Sequence, residues 1–257
     1  MQRKTILGLM MLFVNIVTAA AQTTVTTHWP LDKSIKDLAV GTPAYNAATA
    51  ATITCDGTDV TKMLETSVTF GEKLAFQAII TPSSYATKEV TGLALLRFKV
   101  QGAADGTNDY GMMLSLKPNT TSLTFVPTKV GVSVASWVKD TNSAFEVLLL
   151  KLNGAGETTQ TYELGTVNSH ADVDAHYDDV AFDVPATATA SNDAWQVVVR
   201  MAKGYQNGKN LAMGNVTLTG TATLGGTVQT STFTATVSPA GAGTVTPAET
   251  SVGTGDN

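Results

Sequence analysis

Between Thr23 and about Ala222 the chain alternates apolar and polar residues with a period of two, and it nowhere sustains a 3.6-residue period. That alternation is what a strand with one face on a core and one in solvent requires. In KLAFQAII, Leu74, Phe76, Ala78 and Ile80 share a face. In LALLRFKV, Ala94, Leu96, Phe98 and Val100 do, while Arg97 and Lys99 point the other way. TKVGVSVASWV sets Val130, Val132, Val134 and Val138 on one side. FEVLLLKL is apolar on both faces, which places it inside a sheet rather than at an edge. The breaks carry turn chemistry: DGTD at 56–59, DGTND at 105–109, NGAGE at 153–157 and NGKN at 207–210. NGAG between FEVLLLKL and a Thr-rich strand predicts a hairpin. One short stretch, Asp32 to Val40, is the best helical candidate.

About eight to ten short strands with regular turns predict an all-β fold, two packed antiparallel sheets in a jelly-roll-like sandwich. Charged residues are 14% of the chain, against roughly a quarter in an average protein. Thr, Ala, Gly and Val fill the difference, as suits exposed strand faces. Cys55 is the single cysteine, so no intrachain disulfide is possible, and it is expected to be a small buried hydrophobe.

The first residues read differently. MQRKTILGLMMLFVNIVTAAAQ has Arg3 and Lys4, an apolar run from Ile6 to Val17, and an Ala-rich A-x-A site. The run is shorter than a typical membrane span. A secretory leader at 1–21, cut after Ala21, is expected, and with it a secreted or cell-surface location. Losing Arg3 and Lys4 takes the formal charge from −5 to −7. Such an acidic chain is a poor polyanion binder, so nucleic acid is not an expected partner.

The composition shifts after the sandwich, expected over 22–222. TATLGGTVQTST is nearly uncharged and Gly/Thr-rich, and residues 223–232 are read as a linker. FTATVSPAGAGTVTPAETSVGTGDN, at 233–257, then offers two short strands around a Pro-Gly turn. SPAGAGTVTP and SVGTGDN resemble the opening of the internalin-type (Listeria–Bacteroides) B repeat, whose aromatic-rich second half is absent here. Half a hairpin cannot bury a core. The expectation is a chain that is a fragment of a longer protein, or a disordered tail.

HWPLD, SLTFVPTKVGVSVASW and NLAMGNVTLTGT resemble three anchors of the N-terminal sandwich of secreted Bacteroidales polysaccharide-degrading proteins, pectate lyases among them. The resemblance runs from about Thr27 to Thr223. It implies an accessory module without the lyase chemistry, covalently joined to downstream domains. A pectin-type or other plant polysaccharide is the implied partner. A lyase itself would need a carboxylate cluster for Ca²⁺ and a base for the α-proton of a uronate. Its β-helix would also show stacked repeats. Neither the residues nor the period is found in the sequence, so no catalytic residue is assigned.

Two groups of residues are candidates for binding. SHADVDAHYDDVAFD, at 169–183, is the densest polar cluster, with Asp172, Asp174, Asp178 and Asp179 as oxygen ligands for a Ca²⁺ ion. It lacks EF-hand spacing, and its plainer reading is a solvated loop running into the strand VAFDV. Sugar binding calls for exposed aromatic rings. Trp195 shares a face with Val197, Val199 and Met201 and is expected in the core, and Trp29 is expected to pack. Trp137 lies opposite the valine face of its strand and is the tryptophan whose phase favours exposure. Tyr177 and Tyr205 sit in or near loops and join it as ligand-binding candidates; Tyr110 is in a similar setting. The alternative to a glycan-binding module is an adhesion or structural module with no glycan affinity.

Overall fold

The structure is a computed structural model of the chain. It describes residues 20–30, 51–80, 95–100, 103–136, 144–168, 176–204 and 211–225. The helical candidate at 32–40, the repeat-like segment at 233–257 and nearly all of the leader lie outside them. Contacts group Ala21–Gly225 into one compact unit.

Twelve strands are present among the described residues: β1 (Ala21–Trp29), β2 (Thr52–Asp56), β3 (Leu64–Phe70), β4 (Leu74–Ile80), β5 (Leu95–Val100), β6 (Gly111–Pro118), β7 (Leu123–Ser136), β8 (Ala144–Leu152), β9 (Thr158–Asn168), β10 (His176–Asp183), β11 (Ala194–Met201) and β12 (Leu211–Leu224). They form two antiparallel sheets, the β-sandwich that the alternation predicts. One has seven strands, ordered β10-β7-β12-β1-β2, with β5 beside the start of β12 and β4 beyond it. The other has five, ordered β3-β6-β11-β8-β9. β8 lies inside its sheet between β11 and β9, as its two apolar faces require. The alternation reading names no strand at β2, β3 or β6. In β3 (LETSVTF) the inward positions at Thr66 and Val68 are small and only half-buried, so its apolar signal is faint.

The core fills the space between the sheets. Val25 and Trp29 of β1, Met112, Leu114 and Leu116 of β6, Leu123, Phe125, Val130 and Val132 of β7, Trp195, Val197 and Val199 of β11, and Val216 and Leu218 of β12 are all buried there. Both tryptophans are fully enclosed, as expected. Trp195 Nε1 donates to the Phe125 carbonyl at 3.2 Å, and the Lys151 ammonium lies 5.9 Å from its ring centre. Trp29 Nε1 and Thr27 Oγ1 are buried on β1 without a hydrogen-bond partner among the described residues. Cys55 is only half-buried, because β2 is the outermost strand on its side; it packs against the core's margin. Tyr110 is 7% exposed, held in a 3₁₀ turn at Asn108–Tyr110, and is not a surface ring.

The turns form where glycine and Asx chemistry put them. β8 and β9 close through Asn153–Glu157, where Asn153 Oδ1 accepts the N–H groups of Ala155 and Glu157 at 3.0 and 2.9 Å. Gly156 takes the left-handed conformation there, with φ of 83°. Backbone and side-chain hydrogen bonds from Thr61 hold the Asp59 carboxyl below its usual range. β12 runs to Leu224, pairing with Ala21 on one side and Leu123 on the other, and so enters the stretch read as a linker.

Candidate functional site

Successive residues of a strand face opposite sides of its sheet. In the five-stranded sheet the inward set is Phe145, Val147 and Leu149 on β8 and Trp195, Val197, Val199 and Met201 on β11. The outward set is also partly apolar. Leu148, Leu150, Leu152 and Val198 form a second buried cluster, flanked by Met113 and Ala194.

Register sorts the outward residues into rows that cross the sheet. One row runs Thr69, Met113, Val198, Leu148, Glu163; the next runs Ser67, Ser115, Gln196, Leu150, Thr161. A third runs Gly111, Arg200, Glu146, Thr166. The middle of the face is aliphatic, and hydroxyl, amide and charged groups surround it. Gln196 Nε2 donates to Ser115 Oγ at 2.9 Å. Arg200 Nε donates to Glu146 Oε2 at 2.8 Å, and Arg200 Nη1 donates to Asn108 Oδ1 at 3.1 Å. The pair is shielded, with the Arg200 side chain 19% and the Glu146 side chain 30% exposed. Gly111 makes room for it: a Cβ there would lie 2.6 Å from the Arg200 Cβ.

A bulge in β9 completes the site. Val147 faces Gly165, but Leu148 faces Glu163, so Leu164 is an extra residue. The bulge shifts the alternation by one. Glu163 and Thr166, three apart and so on opposite faces of a regular strand, both come outward. Gly165 stays inward, where the Phe182 ring of β10 leaves no space for a side chain; a Cβ would lie 2.5 Å from its Cε1. The crevice beside the bulge has a volume of about 310 Å³ and is lined by Glu146, Leu148, Glu163, Thr166 and Arg200, with Val147 and Gly165 at its base. Leu148 is its apolar wall, and Glu163 and Thr166 are exposed at its rim. Glu163 has no ion pair or hydrogen bond with any described residue.

Of the ligand and metal candidates read from the sequence, only Asp179 has a described side chain. Trp137, Tyr205, Asp172 and Asp174 are outside the described residues, and Tyr177 and Asp178 are placed by their backbone alone. β10 already begins at His176, so Tyr177, Asp178 and Asp179 belong to a strand and not to the loop expected before VAFDV. As neighbours in one strand, Asp178 and Asp179 occupy opposite faces of the sheet. Asp179 Oδ1 accepts from Ser133 Oγ at 2.5 Å. Among the described residues no three His, Cys, Asp or Glu side chains gather as metal ligands.

The strand pairing and the two-layer core define an antiparallel β-sandwich with a crevice on one outer face. No protein-family profile matches the chain, and no curated protein sequence matches it. Solved structures give distant likenesses. A CBM22-1 xylan-binding domain from Paenibacillus barcinonensis is 8% identical, with 62% of this chain and 87% of that one covered and a TM-score of 0.37. The CBM27-1 module of Caldicellulosiruptor saccharolyticus, solved with mannohexaose, is 13% identical over 59% of this chain and 88% of that one, with a TM-score of 0.32. The enzymatically active domain of tailspike protein 4 from bacteriophage CBA120 is 11% identical over 61% of this chain and 19% of that one, with a TM-score of 0.29. These TM-scores are low, and the sandwich rests on its own strand pairing.

Proposed function

We propose that this chain is a non-catalytic extracellular module that binds polysaccharide through the outer face of its five-stranded sheet. The observation that carries the reading is the bulge-formed crevice of about 310 Å³. A pyranose presents aliphatic C–H groups and a ring of hydroxyls. Leu148 supplies apolar contact, while Glu146, Glu163 and Thr166 supply acceptors and a donor around it. Leu148, Leu150 and Val198 are buried on this face, at positions where a solvated strand would carry polar residues.

The sequence adds the setting. The secretory features of residues 1–21 support a location outside the cytoplasm. The resemblance over Thr27–Thr223 supports a position ahead of the catalytic domain of a polysaccharide-degrading protein, with a pectate lyase as the implied parent. A weak sugar-binding module there raises the local substrate concentration for the enzyme tethered to it.

Affinity electrophoresis of the chain through gels containing soluble polysaccharides tests the reading. Retardation by at least one polysaccharide is expected, and Thr166→Met, which fills the crevice from its exposed rim, is expected to weaken it. No retardation by any polysaccharide would leave the chain as a structural or adhesion module.

A further inference from the structure

The charge balance of the crevice separates classes of glycan. Among the described residues, Arg200 is the one cation that lines it, and that guanidinium is already engaged, by Glu146 through Nε and by Asn108 through Nη1. Glu163 is a second carboxylate at the rim with no partner among the described residues. Among the described residues the lining therefore carries one more negative charge than positive. The chain as a whole adds to this, with a formal charge of −5.

Recognition of a uronate needs the opposite arrangement, a free guanidinium or ammonium presenting its donors to the carboxylate. A uronate in this crevice would instead bring its carboxylate close to Glu163, with Arg200 committed elsewhere. Like charges a few ångströms apart repel, and more strongly where protein displaces water. The hydroxyls of an uncharged sugar suit the same groups, because ionised carboxylates only accept hydrogen bonds and hydroxyls can donate to them.

We propose that the crevice accepts uncharged polysaccharide chains and excludes polyuronates. The proposal rests on the glycan-binding reading and narrows it. If the parent enzyme degrades pectate, its module holds a neutral polymer that lies beside the substrate, and not the substrate itself.

The test compares xylan and galactomannan, as neutral probes, with polygalacturonate in affinity gels and by titration calorimetry, using the whole chain. Retardation by a neutral polymer and none by polygalacturonate is expected. Neutral binding should persist in about 1 M salt, where charge interactions beyond about 3 Å are screened. Glu163→Lys is expected to raise affinity for polygalacturonate relative to the neutral polymer by roughly five-fold at low salt, and Glu163→Gln by less. Glu163 is exposed, so both variants should fold, and circular dichroism checks this. Binding of polygalacturonate as strong as that of the neutral polymers would overturn the inference and leave the glycan-binding reading standing. So would discrimination that Glu163→Lys does not change. If no polysaccharide binds, the reading fails and the inference falls with it.

Discussion

The two sheets turn very different outer faces to their surroundings. On the seven-stranded sheet the outward rows across β2, β1 and β12 are rich in threonine: Thr54, Thr26 and Thr219 line up, and Thr24 pairs with Thr221. Thr26 and Thr219 share a hydrogen bond of 3.2 Å, and Thr54 Oγ1 donates to the Thr26 carbonyl. This is a solvated β surface, held by propensity and short polar contacts. The five-stranded sheet puts leucine and valine at the centre of its outer face, with a shielded ion pair and a bulge beside them. The same backbone arrangement thus supports a plain face and a shaped one, and the crevice belongs to the shaped face.

The sharpest way to break this comparison is at adjacent residues of β8. Leu149→Ala, on the inner face, is expected to cost about 2–5 kcal/mol in urea unfolding, and Leu148→Ala, on the outer face, about 2 kcal/mol. A cost for Leu148 below about 0.5 kcal/mol, the range of ordinary surface changes, would make the two outer faces alike.

Gly165→Ala comes next. Its Cβ meets the Phe182 ring, so a loss of about 1–3 kcal/mol is expected, together with weaker polysaccharide binding as the bulge shifts. Thermal unfolding and affinity electrophoresis read the two effects separately. Arg200→Met leaves Glu146 half-shielded and unpaired. Discounted for its exposure, the cost is about 1 kcal/mol, and a double-mutant cycle with Glu146→Gln isolates the pair.

The smallest effects belong to threonines on the two sides of β1. Thr27→Val removes a buried hydroxyl that has no partner among the described residues, and a gain of about 1 kcal/mol is expected. Thr26→Val, on the outer face, should shift stability by no more than about 0.5 kcal/mol. Equal responses would mean that the faces of β1 are not distinguished as burial implies.

Sequence alternation makes the sandwich legible because a core-facing strand has to repeat every second residue. Trp195 is a core residue by that rule, since Val197, Val199 and Met201 share its phase. The doubly apolar β8 is recognisable as an interior strand for the same reason. The crevice is not legible. Glu163 and Thr166 have opposite phases in the string of letters, and only the extra residue at Leu164 brings them to one face. Gly165 is the visible hint, yet a glycine in a strand does not say which ring it makes room for. Arg200 and Glu146 are 54 positions apart, and what joins them is the pairing register of β8 with β11. The sequence points to aromatic rings as the sugar-binding groups, while the described lining of the crevice is carboxylate, leucine, threonine and a paired arginine.

The pairing of β1 with β12 has a mechanical consequence. The two strands run antiparallel, with Ala21 beside Leu224 at one end of the ladder and Trp29 beside Val216 at the other. The sandwich is therefore entered and left at the same corner. Tension applied across that corner, as in a pulling experiment with a handle at each end of the sandwich, would load the ladder one hydrogen bond at a time, from its Ala21–Leu224 end inward. That is peeling, and a peeled ladder yields at lower force than one sheared along its length, where all the bonds share the load. The corner between β1 and β12 is the point at which a pulled molecule would begin to open.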